Sequence, residues 1–390
     1  QVATSVNIAG VDEAALIDLE GPHSHGSNVA GIVLAMAPGA KVAALNVFHW
    51  DDVEQDTKTF ASDQIAGLDW VAQNAAAYNI VAVNMSIGTV DPFGPCNDDS
   101  RYDPIRTLYA DHDVVTVISA GNEAFPDAVG KPGCISLAMT VGAQLDTQTY
   151  DWCGTGTQAP GAIACFSNRS GMVDIVAPGV GITAGGVSNL SGTSMAAPHI
   201  AGAVALLQDN WGAPVDPSSA FWVNTGLRTW AVPQPLGSQR YDSLRLNHPI
   251  HWDHGSSFSY WYREAAGNVI PTGGAAYSDT TDVADTDTVD GVYLNLELLH
   301  PTPADVRVRV INPQGGAVET NLPSGLSHFN GTLGRTHFPG LFEPLTGGAV
   351  TGTWTLQVED TGSSGAGYFL RAALFFIYSG CTKDCSAATC

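Results

Sequence analysis

The segment SGTSMAAPHIAGAVALL, residues 191–207, joins a glycine turn to a helix of small residues. Gly192 and Thr193 predict a tight turn, and the alanines after Ser194 allow a helix to begin at once and to pack closely. A serine at a helix N-terminus lies where free backbone N–H groups and the helix dipole favour negative charge. This position suits a nucleophile and the oxyanion that it generates, although a lone serine there is more often a helix cap.

Upstream of this segment, short apolar runs alternate with a helical pattern. A helix is predicted within residues 61–79, where apolar side chains recur on one face. Alternating strands and helices predict an α/β fold, a mostly parallel sheet flanked by helices, with reactive groups at the carboxyl ends of the strands. The runs of strand length are VAALNVF (42–48), IVAVNMSIG (80–88), VVTVISAGN (114–122), CISLAMTVGA (134–143) and MVDIVAPG (172–179).

Two further segments contain residue types that could assist a nucleophile. In residues 23–42, His25 begins an apolar helix, so the backbone would hold an imidazole in place to act as a base. In residues 114–123, a buried strand runs into a glycine and Asn122, whose uncharged amide offers the donors that an oxyanion needs. Each residue alone would be structural, but together with Ser194 they indicate nucleophilic catalysis.

These three segments, in this order, resemble the subtilisin-like serine peptidase family. His25 matches the histidine of the family's HGTHVAG motif, Asn122 the asparagine of AAGN, and Ser194 the serine of GTSMAAPH. The resemblance implies a serine endopeptidase of the acyl-enzyme type. Ser194 would attack the peptide bond, His25 would transfer its proton, and Asn122 would help to hold the oxyanion.

The resemblance extends over nearly all of residues 20–210. It includes NMSIG at 84–88 and MVDIVAPGVGI at 172–182, whereas Asn28 stands where the family's motif has a second histidine, which is not the proton-transfer base. The resemblance implies that the substrate backbone binds as an added strand between two walls of a cleft. The predicted wall residues are Ser86, Ile87 and Gly88 on one side and Ser119, Ala120 and Gly121 on the other.

The family's aspartate is the main departure. In the family it ends a strand that lies farther from the histidine than the 24 residues that precede His25 here. We interpret residues 6–26 as the family's later strand and the loop before the histidine, which places the aspartate upstream of Gln1. Asp18 is the second choice, since it is within reach of His25, and Asp12 or no replacement are the remaining alternatives.

After about residue 250 the helical pattern ends, and alternating strands predict an all-β sandwich. Its His-x-x-x-x-Asp-Val, Asn-Pro-x-Gly and Gly-Thr-Trp-x-Leu pieces resemble the P-type domain that follows the catalytic domain in proprotein convertases and many secreted bacterial subtilases. Asp-Thr-Gly at 360–362 repeats the family's aspartate motif in letters, but its place after a strand predicts a hairpin loop. The predicted domains are a catalytic domain at 1–250, a P-type domain at 251–379 and a cysteine-bearing tail at 380–390.

The charge and the cysteine content of the chain indicate which partners and which cellular compartment to expect. The 38 acidic and 15 basic residues give a formal net charge of −23, which would repel nucleic acid and anionic membranes. The resemblance implies a protein or peptide substrate, no cofactor for catalysis, Ca²⁺ for stability, and a cleaved N-terminal fragment or propeptide as a partner. Seven cysteines in local groups predict disulfides and an extracellular protein: Cys96 with Cys134, Cys153 with Cys165, and Cys381, Cys385 and Cys390.

Two rival functions are weighed against a secreted serine endopeptidase. The missing aspartate favours a catalytically impaired binding or structural protein with the same fold, because a histidine without its orienting carboxylate is a poor base. An α/β-hydrolase esterase is disfavoured, since Gly-x-Ser-x-Gly is absent around Ser194 and the histidine precedes the serine.

Overall fold

A computed structural model gives the architecture of the chain. The chain forms two compact units, residues 1–236 with 241–250 and residues 237–240 with 251–390. The structure describes residues 2–8, 25–51, 56–146, 158–211, 227, 232–236, 239–243, 258–270, 276–283, 288–300, 302–322, 328–333, 341–362 and 367–378.

Twelve strands precede residue 250 in the described part of the chain. Five of them, β12, β8, β7, β6 and β5 in spatial order, form a parallel array within a six-stranded sheet that β11 completes at one edge. The strands are β1 (Val2–Asn7), β2 (Val42–Asn46), β3 (Phe48–Asp51), β4 (Asp56–Thr59), β5 (Ala82–Met85), β6 (Val115–Ser119), β7 (Met139–Gln144), β8 (Ile175–Pro178), β9 (Ile182–Ala184), β10 (Val187–Leu190), β11 (Val232–Leu236) and β12 (Gln239–Ser243).

Smaller pairings accompany the main sheet. Strand β1 lies parallel to β2, β3 pairs with β4, and β9 and β10 form a short antiparallel hairpin. Each of the five apolar runs that predict strands overlaps one, namely β2, β5, β6, β7 and β8 in turn, and β7 extends one residue beyond its run. These runs become strands because β-branched and apolar side chains suit a sheet that is covered on its faces.

Among the residues that the structure describes, the helices that accompany the sheet are α1 (His25–Met36), α2 (Ala61–Tyr78), α3 (Tyr102–Asp111) and α4 (Thr193–Trp211). Leu68 of α2 and Ile105 and Leu108 of α3 share a buried core with Ile118 of β6. Helix α4 packs across β5, β6, β7 and β8 and also against α1. The predicted α/β architecture is therefore confirmed.

The second unit is a β-sandwich. Its sheets have the orders β13-β20-β15-β18 and β14-β19-β16-β17, and alternate residues of β15 and β16 lie in one apolar core. Two short 3-10 helices, Pro303–Asp305 and Glu343–Leu345, lie in its connections. Its strands are β13 (Phe258–Ile270), β14 (Ala276–Val283), β15 (Val289–Leu299), β16 (Val306–Ile311), β17 (Ala317–Asn321), β18 (His328–Leu333), β19 (Gly352–Asp360) and β20 (Gly367–Tyr378).

The prediction of a hairpin at 360–362 is wrong. Strand β19 pairs with β14 and β16 in one sheet, whereas β20 pairs with β13 and β15 in the other. The segment therefore leads from one layer of the sandwich to the other. Asp360 is buried against His300, with 3.3 Å between its Oδ2 and the imidazole Nε2, so it serves the core of this unit.

Cys96 and Cys134 form the disulfide that the cysteine grouping predicts. Cys165 is also disulfide-bonded. Cys153 and the three cysteines of the tail lie outside the described residues. Among the helices that the structure describes, none is long and apolar enough to cross a membrane.

Candidate active site

Ser194 is the second residue of α4, as the sequence predicts. The preceding turn is closed by a hydrogen bond from the Met195 N–H to the Gly192 carbonyl, 3.0 Å long, and Gly192 is itself anchored through its N–H to the Gly179 carbonyl at 2.8 Å. Ser194 is half-buried, whereas Met195 behind it is buried. The turn therefore holds this serine at the positive end of a long helix, within reach of solvent.

Asn122 is tied directly to the start of this helix. Its side-chain Oδ1 accepts hydrogen bonds from the Thr193 N–H at 2.8 Å and from the Thr193 hydroxyl at 3.0 Å. A backbone N–H can only donate, so these bonds fix which end of the amide faces Thr193. The Nδ2 donors of Asn122 therefore point away from Thr193.

The turn that presents Asn122 is strained in a way that requires glycine. Gly121 has a φ of 101°, and a Cβ there would meet the side-chain amide of Asn168. Asn168 is buried; its Nδ2 donates to the Ala120 carbonyl at 3.0 Å and to the Glu123 carboxylate at 2.7 Å. Sequence reasoning did not single out Asn168, although its place in FSN, after a buried stretch, is typical of a polar anchor.

His25 is the first residue of α1, again as predicted. Asn28, one turn later, is fully buried, and its Nδ2 lies 3.2 Å from the carbonyl oxygens of both Ala184 and Val187. These carbonyls belong to the β9–β10 hairpin, which leads into α4. Asn28 therefore fastens the beginning of α1 to the hairpin that precedes Ser194, a role that the sequence did not reveal.

The contact between α1 and α4 is close because glycine lies at it. A Cβ on Gly202 would meet the Met36 side chain and would lie 3.2 Å from the Val33 carbonyl oxygen. Val33 and Gly202 follow His25 and Ser194, respectively, by the same number of residues. Both helices also begin at the β9–β10 hairpin, so they run in the same direction from it.

Partial burial is the feature of the structure that shifts the pKa of His25. Its side chain reaches solvent, but the surrounding protein atoms partly desolvate the imidazole and lower its pKa below the usual 6.5. Within the described ranges no carboxylate forms an ion pair or hydrogen bond with His25. Asp12 and Asp18 lie outside the described residues, so the structure does not test them.

The predicted wall residues differ in exposure. Ser119 and Ala120 are 4% and 0% exposed, so their side chains face the interior. Ser86 and Ile87 are half-buried, and Gly88 is exposed. The Ser119 hydroxyl lies 3.4 Å from the Ile87 carbonyl oxygen and links the two walls. Contact of these residues with a substrate stays a prediction.

Beyond the walls, the loop after β5 is fastened to the segment after β6. The Cys96–Cys134 disulfide joins them, and the Lys131 ammonium lies 3.4 Å from the Asp99 carboxylate. Hydrogen bonds from the Arg101 side chain are the main reason that the pKa of Asp99 falls to about 2. The buried carboxylate is thus ionised at neutral pH and holds both cationic side chains.

Comparison with known proteins identifies two family models that match the chain. Residues 7–234 match the model of the Subtilase family, and residues 289–376 match that of the Proprotein convertase P-domain. The chain is 31% identical over 248 residues to Pyrolysin of Pyrococcus furiosus, which covers 56% of this chain and 17% of that protein. It is 32% identical over 188 residues to Proteinase T of Parengyodontium album, which covers 46% of this chain and 57% of that protein.

The chain spans less than two thirds of the length of these curated relatives. Among solved structures, a cold adapted subtilisin-like serine proteinase aligns over 63% of this chain and 90% of that chain. The alignment has 22% sequence identity and a TM-score of 0.44.

Proposed function

Because the chain belongs to the subtilase family, we propose that it is a serine endopeptidase that hydrolyses peptide bonds in proteins through an acyl-enzyme on Ser194. His25 is the general base in this proposal, and Asn122 is the side-chain donor to the oxyanion. The observation that carries it is the hydrogen-bonded unit of Asn122 and Thr193, because this unit holds the Asn122 amide beside the start of the helix that bears Ser194 and leaves the Nδ2 donors unused by Thr193.

The approach of His25 to Ser194 is supported by two contacts. Asn28 holds the start of α1 on the hairpin that leads into α4, and Gly202 packs against Val33 at an equal distance along both helices. Two helices that run in the same direction from one hairpin bring their first turns together. Both positive helix ends then face the place where negative charge develops in acyl transfer.

The proposed reaction has two halves. The Ser194 Oγ attacks the carbonyl carbon while His25 takes its proton, and the resulting oxyanion accepts hydrogen bonds from the Asn122 Nδ2 and the Ser194 N–H. The tetrahedral intermediate collapses as His25 returns that proton to the leaving amine, which leaves an acyl-enzyme. Water then attacks the ester with His25 as base, and the serine hydroxyl is restored as the acid product departs.

The direct test is labelling with a fluorophosphonate, which phosphonylates an activated serine with loss of fluoride. We expect one label for each chain, and mass spectrometry of the digested protein should locate it on Ser194. Heat-denatured protein is the control, because the label requires a folded site. A label spread over several serines, or none at all, would contradict the proposal.

The pH dependence of this labelling gives a second test. The imidazole must be neutral to act as a base, and desolvation lowers the pKa of His25 below 6.5. The rate should therefore stay high down to about pH 6.5 and fall only below it. If the midpoint of the pH profile of labelling lies clearly above 6.5, the pKa of His25 is raised and not lowered. That result would indicate a carboxylate that stabilises the imidazolium.

The alternative function, a catalytically impaired binding or structural protein, applies if no carboxylate orients His25. No carboxylate is paired with His25 in the portion of the chain that is described. Without an orienting carboxylate the turnover falls by about 10⁴ in the well-studied serine peptidase example. Labelling at Ser194 that is no faster than that of a free serine would favour this alternative.

Further proposals concern the rest of the molecule. We assign residues 1–250 to the catalytic domain, 251–379 to the P-type domain and 380–390 to the tail. Secretion and processing of an N-terminal propeptide are proposed because extracellular serine proteinases occur among the relatives and because the chain contains disulfides. Calcium is proposed for stability only; no cluster of three metal-binding side chains occurs among the residues that the structure describes, so no ligand is assigned.

A further inference from the structure

The main-chain carbonyl of Ser194 lacks the donor that a regular α-helix would provide. In an α-helix the carbonyl of each residue accepts a hydrogen bond from the N–H four residues later. That residue is Pro198, which lies inside α4. Proline has no N–H, and its ring crowds the carbonyl four residues before it. The i to i+4 hydrogen bond of the Ser194 carbonyl is therefore absent from this helix.

The Ser86 hydroxyl donates a hydrogen bond to the Ser194 carbonyl. Its Oγ lies 2.8 Å from the Ser194 carbonyl oxygen, although the two residues are 108 positions apart in the chain. Ser86 follows the last residue of β5 directly, so the main sheet fixes its position. A buried or half-buried carbonyl is costly to leave unsatisfied, which gives this single hydroxyl a specific task.

Asn84 holds the Ser86 hydroxyl in the orientation that this hydrogen bond needs. Its Nδ2 donates to the Ser86 Oγ at 2.9 Å. Because the amide N–H can only donate, the lone pair of the Ser86 oxygen is used there and its proton is directed to the Ser194 carbonyl. The three residues form a relay in which every hydrogen bond has one possible direction.

We propose that Ser86 is a positioning residue for the nucleophile and that it acts through the main chain of Ser194. The inference rests on the proposed function. A hydrogen bond that holds the Ser194 carbonyl restricts the ψ angle of this residue. The direction in which the Cα–Cβ bond points is then restricted too, and with it the position of the attacking Oγ. Ser86 thus has a role beyond the substrate-wall contact that the sequence predicts, and Asn84 supports it.

The first variant is Ser86→Ala, which removes the hydroxyl that donates to the Ser194 carbonyl. We expect the rate of fluorophosphonate labelling and kcat for a peptide substrate to fall about tenfold, the size expected for one neutral hydrogen bond. KM should change less than about twofold, because the loss concerns attack and not binding. A main effect on KM would contradict the proposal.

A rescue experiment separates positioning from a general structural role. Pro198→Ala introduces an N–H four residues after Ser194, where a regular helix would donate to its carbonyl. In the double variant Ser86→Ala, Pro198→Ala, this N–H should restore most of the labelling rate that Ser86→Ala loses. A hydroxyl needed only for packing would not be replaced by a donor in another element.

The hydrogen bond between residues 84 and 86 can also be reversed in direction by a side chain of nearly the same size and shape. In Asn84→Asp the carboxylate accepts the Ser86 proton and so turns it away from Ser194. We expect a loss similar to that of Ser86→Ala and no further loss when the two changes are combined, because both remove the same bond. Additive losses would overturn the relay. Ser86→Ala and Asn84→Asp, alone and combined, still test the proposal if Pro198→Ala unfolds the protein.

Ser136→Ala is the matched control, since the Ser136 hydroxyl also accepts from an asparagine amide, that of Asn97, at 2.9 Å. Its labelling rate should equal that of the unchanged protein, and thermal unfolding should show that all variants are folded. If the unchanged protein is not labelled at Ser194, the proposed function is wrong and this inference fails with it. If it is labelled and Ser86→Ala reacts equally fast, or Pro198→Ala restores nothing, only the positioning role of Ser86 is wrong.

Discussion

Replacement of Ser194 by alanine is expected to abolish fluorophosphonate labelling and to lower kcat for peptide hydrolysis by about 10⁶, with little change in KM. That magnitude is the one measured in subtilisin, a member of the same family. The reason for so large a loss is that the remaining groups can orient water and stabilise an oxyanion but cannot form an acyl-enzyme. Steady-state hydrolysis of a chromogenic peptide measures the loss.

The size of the loss in kcat for Ser194→Ala also shows whether a carboxylate orients His25. Catalytic residues that act as a unit are not additive, so a site whose His25 lacks its orienting group has already lost most of the rate that the serine can supply. In that case Ser194→Ala should lower kcat by only about 10². Ser188→Ala, in the exposed part of β10, is the control and should hydrolyse the peptide as the unchanged protein does. Unchanged hydrolysis in Ser194→Ala would exclude the proposed nucleophile.

Asn122→Asp is expected to lower kcat by at least about 10² while the protein keeps its stability. The aspartate can still accept from the N–H and hydroxyl of Thr193, so the contact with the start of α4 survives. It loses the Nδ2 donors, however, and its negative charge repels the oxyanion. Loss of one such donor lowers kcat by about 10² to 10³, a range that was also measured in subtilisin.

Asn122→Ala is the companion variant that separates the two roles of the amide. It should lose a similar factor in kcat, because the donor is again absent. It should also lose about 1 kcal/mol of stability, since the N–H and the hydroxyl of Thr193 lose their acceptor. Chemical denaturation compares the two variants. Equal kcat in Asn122→Asp and the unchanged protein would show that this amide does not face the oxyanion.

Contiguous sequence patterns were sufficient to identify the candidate site residues. The glycine turn before Ser194, the apolar helix after His25 and the buried strand before Asn122 are contiguous patterns, and each produced the predicted element at the predicted place. Short-range patterns are reliable here because helix and strand periodicity depend on neighbouring residues. The hairpin at 360–362 failed for the same reason, since the turn letters do not reveal in which sheet the next strand will pair.

The amino-acid sequence by itself determined the alternation of strands and helices, the positions of Ser194 and His25 at helix starts and of Asn122 after a strand, and the presence of a β-rich second part. Only the tertiary structure decided which end of the Asn122 amide faces Thr193, that Asn28 fastens α1 to the hairpin before Ser194, and that the Ser86 hydroxyl supplies the donor that Pro198 removes. These bonds join residues that are distant in the chain, so no local pattern encodes them. They form because folded backbone leaves donors and acceptors in the interior that must be paired.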